Sequence, residues 1–444
     1  MPFHPVDQRS TDSSHAVHRD RSGRLLVIAY YFPPMGLSGV LRISKFCKYL
    51  RRLYGWDITV LTIGDVGYFA YDYALLEEVL EAGIVIERTR TIDPLSIMRG
   101  RRLVSLPKAG RRRFLSGITH TFLQPDNKIG WKRFALRRAE ELIAEKGFDV
   151  VLTTAPPFTS FLIGAEIQRR HGIPLVVDYR DPWLDNKHYY FATPFHRRYA
   201  AALESSVLKR AHSVIVVNRR IKEQLVSRYQ FLTHDGVLII PSGYDPTDFT
   251  QAARYPLEQS RKFRITFSGI VDIHQSPRPF LQALAMLFAR HPLMRDELEA
   301  CFIGTFQDTY QRMAHSLGVS SSLVTPGYLD HQESVRYLLS SDVLWLSSYD
   351  PAVTPGKVHE YIGSRKPILA LAPAGVLRDV LDEYGAAVVV EPGDIEGISS
   401  AIMDLYTKWR ENSLPVGAEE MAREYDQRNL VGRLARALAY SIHI

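Results

Sequence analysis

Cysteine is almost absent: the 444 residues hold only Cys47 and Cys301, far apart in the chain. Neither a zinc-site spacing nor a disulfide framework can be drawn from them, so a reducing compartment is expected. Long apolar runs are missing too. No stretch approaches the roughly 18 residues that cross a bilayer. Residues 1–22 are rich in His, Asp, Ser and Arg and lack an apolar core. They are expected to form a disordered leader rather than a signal peptide, and the protein is expected to be cytoplasmic. No internal repeat and no low-complexity tract is present. The G-x-G-x-x-G spacing of a dinucleotide loop is also lacking, which disfavours a dehydrogenase-type fold.

What is present is an ordinary globular composition, 46% hydrophobic and 23% charged, long enough for two domains. The formal net charge is +7, which favours anionic partners. The cations are uneven. Arg99, Arg101, Arg102, Lys108, Arg111, Arg112 and Arg113 fall in one run, interleaved with Leu103, Val104 and Leu106. That mixture suits an anionic membrane surface, with a solvated loop as the plain alternative. It lacks a nucleic-acid recognition motif, so no nucleic acid is expected.

Along the chain, short buried-strand runs alternate with amphipathic helices. Residues 25–31 form a continuous apolar run, and Pro33-Pro34, Gly36 and Gly39 punctuate the turn that follows. Val40, Ile43, Phe46, Cys47, Leu50 and Leu53 recur at helical spacing, and the next strand is read at residues 57–62. The pattern continues with strands at 84–86, 148–154, 174–179, 213–217 and 237–240, and helices at 131–146 and 158–171. After a polar stretch read as a connection over 242–262, a second series begins. Its strands are at 263–267, 299–303, 322–324, 343–346, 367–371 and 387–390. Its helices are at 279–290, 309–317, 331–340 and 357–364. This predicts an α/β fold of two Rossmann-like parallel-sheet domains, over 23–241 and 263–417, with ligands at the carboxyl ends of the strands in a central cleft. Residues 418–444 are predicted helical, with an apolar stripe of Leu430, Val431, Leu434, Ala437 and Leu438.

Three segments carry candidate chemistry. The loop around Gly36 and Gly39 offers backbone amides and a helix N-terminus to an anionic group, or merely permits a tight turn. Asp178-Tyr179-Arg180-Asp181-Pro182-Trp183 puts two carboxylates and a guanidinium at a strand end. Arg180 suits a phosphate and Asp181 a hydroxyl proton; the alternative is an ion pair of Arg180 with Asp178 or Asp181. The third is Val353-Thr354-Pro355-Gly356-Lys357-Val358-His359-Glu360, a Pro/Gly loop that opens a helix. Free amides and Lys357 suit a diphosphate, and Glu360 suits a ribose diol. The alternative is a solvated lysine and an acid favoured by the helix dipole.

Thr354 to Ala370 resembles the donor-site signature of family 4 glycosyltransferases with the GT-B fold: a glycine loop, a helix carrying a glutamate, a small-residue turn and a K-P-I-L-A strand. Tyr30-Tyr31-Phe32-Pro33-Pro34 with Gly39 and Arg42 resembles the family's first loop, and Pro241-Ser242-Gly243-Tyr244-Asp245 its hinge segment. Phe267-Ser268-Gly269 resembles the F-x-G that opens its second domain. Asp178 to Trp183 resembles a segment of bacterial envelope-polysaccharide members. The resemblance implies a retaining transfer from a nucleoside diphosphate sugar to a glycan or lipid-linked acceptor, without cofactor or metal, and a final helix that returns to the first domain. It implies donor contacts at Gly39, Gly269, Val353, Thr354, Pro355, Gly356, Lys357 and Glu360, with Glu360 on the ribose, and catalytic roles for Arg180 and Asp181.

Three departures stand out. The family's paired glutamate would fall at Ala352, the arginine after F-x-G is replaced by Ile270, and the first domain's histidine by Arg180. Asp350 is the nearest acid that could stand in for the missing glutamate, and either His274 or Arg278 could serve the diphosphate, with Arg278 favoured. A sugar-nucleotide epimerase of the same architecture and a degenerate sugar-nucleotide-binding protein remain as alternatives.

Overall fold

The computed structural model describes residues 22–36, 38–64, 66, 71–92, 123–186, 191–258, 260–271, 275–351 and 354–443. The basic run from Arg99 to Arg113, residues 1–21 of the expected leader, and Val353 lie outside them. The chain divides into two compact units, Met1–Pro241 with Val431–Ile444, and Ser242–Leu430.

The first unit is built on seven strands: β1 (Arg24–Ile28), β2 (Asp57–Ile63), β3 (Val85–Thr89), β4 (Val150–Ala155), β5 (Leu175–Tyr179), β6 (Ser213–Val216) and β7 (Val237–Ile239). Their order is β3-β2-β1-β4-β5-β6-β7, and every pairing is parallel. Parallel strands need helices on both faces, which is why their apolar residues run continuously instead of alternating. In β4 all residues from Val150 to Ala155 are buried. The strand order reverses between β1 and β4. Gly172 ends the helix Thr159–His171 in a left-handed conformation, φ 68°, as its place after the last apolar turn predicts.

The second unit repeats the plan with β8 (Phe263–Ile270), β9 (Leu298–Thr305), β10 (Leu323–Gly327), β11 (Val343–Ser347), β12 (Ile368–Leu371) and β13 (Ala387–Val390). The order is β10-β9-β8-β11-β12-β13, again all parallel, and it reverses between β8 and β11. Along β11, Trp345 enters the core on one face with Phe267, Phe280 and Phe302, while Leu344 and Leu346 enter the other with Tyr361, Ile362 and Tyr384.

Two stretches that the sequence assigns fold differently from that assignment. The stretch read as a connection holds a helix, Pro246–Arg254, capped by Asp245, whose side chain accepts from the Thr247 amide. Its buried positions are Asp248 and Ala252, so a polar contact stands where an apolar stripe would be sought. The terminal helix is two helices, Glu419–Glu424 and Gln427–Ile442. The break has a cause: Tyr244 inserts between them, its amide donating to the Tyr425 carbonyl while the Gln427 amide donates back to the Tyr244 carbonyl. The predicted stripe from Leu430 to Leu438 is buried, and Ser441 bonds Ser213 within the first unit at 2.9 Å.

The first unit also buries an acid with no counterpart in the sequence reading. Glu204, on the helix Pro194–Leu208, is fully buried and accepts from the Tyr229 hydroxyl at 2.7 Å. Burial raises its carboxyl to about 7, against the lowering pull of that hydroxyl and of Arg228. A raised carboxyl stabilises the fold fully below its unfolded value, near 4.5, and that contribution disappears as pH rises through about 7. The melting temperature is therefore expected to fall between pH 5 and pH 8 in the parent protein and to fall less in Glu204→Gln. Parallel profiles for the two proteins would refute this.

Candidate donor site and its counterpart in the first unit

In the second unit the candidate site forms at the point where the strand order reverses, the place where open parallel sheets leave a crevice for ligands. Tyr361 fixes the geometry. It is fully buried on the helix Lys357–Ser364; its hydroxyl accepts from the Ser268 amide of β8 at 2.9 Å and donates to the Trp345 carbonyl of β11 at 3.2 Å. One side chain thus ties the helix to both strands of the switch point. Gly363 lies against the Tyr244 ring so closely that an added Cβ would sit 2.4 Å from it, which leaves glycine as the residue that fits.

The N-terminus of this helix has no side-chain cap, because Gly356 occupies the cap position. Its first-turn amides therefore form an electropositive end that suits an anion. Thr354 and Pro355 are half-buried before it, and the Pro355 carbonyl accepts from the Val358 amide at 3.1 Å. Glu360 is one turn in and 4% exposed. Lys357 Nζ donates to its Oε2 at 3.0 Å. Burial alone would push the Glu360 carboxyl up, but the charges of Lys357 and His331 outweigh it and hold the group below its ordinary value.

His331 opens the helix His331–Ser340 and pairs through Nε2 with Asp248 Oδ2 at 2.8 Å, while Gln332 Nε2 donates to the other Asp248 oxygen at 3.1 Å. The sequence reading missed both Asp248 and His331. Asp245-Pro246 is a legible helix-start signal, but nothing in the sequence pairs position 248 with position 331.

The other predicted donor residues fall around the same strand ends. Gly269, φ 153°, lies near the end of β8 in register with Gly304, where a Cβ would stand 2.1 Å from the Gly269 carbonyl oxygen. Arg278 starts the helix Arg278–Arg290 and is exposed, and its charge acts on Tyr349, whose hydroxyl donates to the Ser276 carbonyl at 3.0 Å.

In the first unit the predicted residues Gly39 and Arg180 come together beside the β1–β4 switch point. Gly39 is in the first turn of the helix Ser38–Tyr54, and an added Cβ would lie 1.8 Å from Arg180 Nη1. The Arg180 amide donates to the Ala155 carbonyl at 3.0 Å, and its Nη2 donates to the Pro156 carbonyl. Asp181 is exposed. The expected alternative of an Arg180–Asp178 pair is corrected. Asp178 is buried and takes Arg42 instead, Nη2 to Oδ1 at 2.8 Å, with the Thr154 hydroxyl on its other oxygen at 2.9 Å. Arg42 also donates to the Ile240 and Pro241 carbonyls, at 2.9 and 2.6 Å. The strand pairing of β4 with β5 sets Thr154 beside Asp178, a proximity that the linear sequence hides.

Residues 40–243 match the Glycosyl transferase 4-like domain, and residues 248–424 match Glycosyl transferases group 1. The chain is a group 1 glycosyltransferase. Its two sheets are those of the GT-B fold, as solved structures bear out. The glycosyltransferase is 14% identical to Anabaena Alr3699/HepE, a structure in complex with UDP and glucose, with a TM-score of 0.63 over 94% of this chain and 99% of that one. It is 14% identical to a glycosyltransferase from Rickettsia africae ESF-5, TM-score 0.61, over 94% and 98% of the two chains. A UDP-GlcNAc 2-epimerase from Neisseria meningitidis, bound to UDP-GlcNAc, shares the fold at 13% identity and TM-score 0.55, over 94% and 99%. At these identities the likeness is one of fold. No curated protein matches the glycosyltransferase. Among its described residues, no helix is long and apolar enough to cross a membrane.

Proposed function

We propose that this glycosyltransferase moves a sugar from a nucleoside diphosphate sugar to a glycan or lipid-linked acceptor, with retention, in the synthesis of a cell-envelope polysaccharide or glycoconjugate. The observation that carries the proposal is the buried, ionised Glu360 one turn into an uncapped helix at the switch point of the second sheet. An ionised carboxylate accepts from both hydroxyls of a ribose, and the helix end before it accepts a diphosphate. In this reading Gly269, Val353, Thr354, Pro355 and Gly356 approach the diphosphate and sugar with their backbone. Lys357 and Arg278 supply the charge that a metal ion would otherwise bring to the leaving group. Turnover is accordingly proposed to need no metal or cofactor and to persist in EDTA. Anabaena Alr3699/HepE, in complex with UDP and glucose, supports a uridine nucleotide as the first donor to try.

Gly39, Arg180 and Asp181 form the counterpart in the first unit. Arg180 and Asp181 act on the reacting groups, Arg180 as a phosphate or oxyanion partner and Asp181 as the group that receives or orients an acceptor hydroxyl. Arg180→Ala and Asp181→Ala are expected to lower kcat about a hundredfold or more while changing donor affinity only a few-fold. The reverse pattern would remove them from the catalytic role. The basic run from Arg99 to Arg113 is proposed to rest on an anionic membrane surface, where a lipid-linked acceptor would lie. Neutralising Arg111, Arg112 and Arg113 would then reduce sedimentation with anionic liposomes at low salt.

The function is tested by thermal shift against UDP, GDP, ADP and dTDP and their sugars, followed by product analysis. Binding with transfer of the sugar to an acceptor supports the proposal. Inversion of the free sugar nucleotide without an acceptor would assign an epimerase, and binding without turnover a degenerate binder.

A further inference from the structure

Backbone amides hold a diphosphate only when they point at it, and Gly356, the residue type with the most backbone freedom, stands where those amides begin. Its carbonyl has a second tether besides the helix. His359, three residues on in the same first turn, places Nδ1 3.1 Å from the Gly356 carbonyl oxygen. A carbonyl carries no proton, so the ring nitrogen is the donor. The carbonyl of Gly356 and the amide of Lys357 belong to one planar trans peptide and point in opposite directions. Fixing the carbonyl along the helix therefore fixes the Lys357 amide outward from its N-terminus, where it has no intrahelical acceptor. The next amide, of Val358, is taken by the Pro355 carbonyl at 3.1 Å.

The ring of His359 is held in turn. The residue is 7% exposed and packs against Tyr425, with ring centroids 4.8 Å apart at 54°. Tyr425 is a fixed platform: its amide donates to the Met421 carbonyl at 3.2 Å, and its carbonyl accepts from the Tyr244 amide at 3.0 Å. The Tyr244 ring lies against Gly363 of the same donor helix. The contacts thus close on themselves within the second unit, from Gly356 through His359, Tyr425 and Tyr244 back to the helix that Gly356 opens. A phenylalanine at 359 would pack on Tyr425 alike; the donor nitrogen is what a histidine adds.

We propose that His359 is a positioning residue for the donor diphosphate: braced on Tyr425, it pins the Gly356 carbonyl and so aims the Lys357 amide at the anion. This rests on the nucleotide-donor reading given above and adds a residue that the reading does not use. His359 touches neither ribose nor phosphate and acts through the Gly356–Lys357 peptide.

The test is calorimetric titration of UDP and of uridine into the full-length protein, His359→Phe and His359→Asn. Phenylalanine keeps the ring on Tyr425 and removes the donor. Asparagine gives up the ring and keeps an amide N–H close to the place of Nδ1. His359→Phe is expected to weaken UDP about three- to tenfold, the effect of one lost hydrogen bond, and to leave uridine, which has no phosphate, within about twofold of the parent. His359→Asn is expected to bind UDP better than His359→Phe does, although it packs worse. Unchanged UDP affinity in His359→Phe would overturn the proposal. A loss shared equally by UDP and uridine would do the same, since it would make His359 a structural part of the helix. A second measurement needs no variant: the imidazole nitrogen spectrum of the unliganded parent, with labelled histidine, should show His359 protonated at Nδ1. An unprotonated Nδ1 would overturn the proposal even if both variants failed to fold. Failure of the parent to bind any nucleoside diphosphate is a separate result, and it would sink the donor-site reading itself.

Discussion

Glu360→Gln is expected to weaken UDP binding by about a hundredfold, the largest effect of any single change in the second unit. The substitution keeps the shape of the side chain and removes its charge. A hydrogen bond to a charged group contributes about 1.5–3 kcal/mol, and a ribose diol donates two, so a net loss near 3 kcal/mol is expected. The fold should tolerate the change. Lys357 remains partly exposed, and His331 keeps Asp248, so no charge is left buried alone. The measurement is the dissociation constant by calorimetry, with the melting temperature as control. Unchanged affinity for UDP, GDP, ADP and dTDP alike would show that Glu360 is not the ribose acceptor.

The second large effect is one of stability. Arg42 and Asp178 are both almost fully buried, with side chains 2% and 1% exposed. Arg42→Met removes the guanidinium and leaves Asp178 with the Thr154 hydroxyl, while the Ile240 and Pro241 carbonyls each lose a donor. Breaking a buried pair from one side costs about 3–5 kcal/mol, because the remaining charge is uncompensated. In a unit of this size that corresponds to a fall of roughly 10 °C in melting temperature. Adding Asp178→Asn removes the orphaned charge, so the double variant should recover more than half of the loss. A single variant within about 2 °C of the parent would mean that the pair contributes little. A double variant no better than the single would place the cost in the lost carbonyl contacts instead.

Much of the fold was legible because parallel sheets write themselves plainly. Strands buried on both faces appear as short apolar runs such as residues 150–152, and the helices between them as apolar points at helical spacing. The helix Pro246–Arg254 was not legible, because its buried face includes an aspartate and looks polar. The helices Tyr73–Glu81, Pro194–Leu208, Arg219–Arg228, Val376–Tyr384 and Ile395–Arg410 also went unread. Pro194–Leu208 buries Glu204 among its apolar residues, and Arg219–Arg228 buries only Ile221 and Leu225, which blurs the stripe. The two-helix C-terminus read as one because the residue that interrupts it, Tyr244, lies about 180 positions upstream.

The sequence by itself determined the two-sheet α/β plan, the glycosyltransferase resemblance and the place of Glu360 in a helix behind a Pro/Gly loop. These depend on local periodicity and on residues within a few positions of one another. Only the tertiary structure decided who pairs with whom: Arg42 rather than Arg180 with Asp178, Gly39 against Arg180, Asp248 with His331, and Tyr361 across β8 and β11. A buried charge takes the partner that the strand order and helix packing bring within about 3 Å, and that proximity is set by the fold, not by separation along the chain.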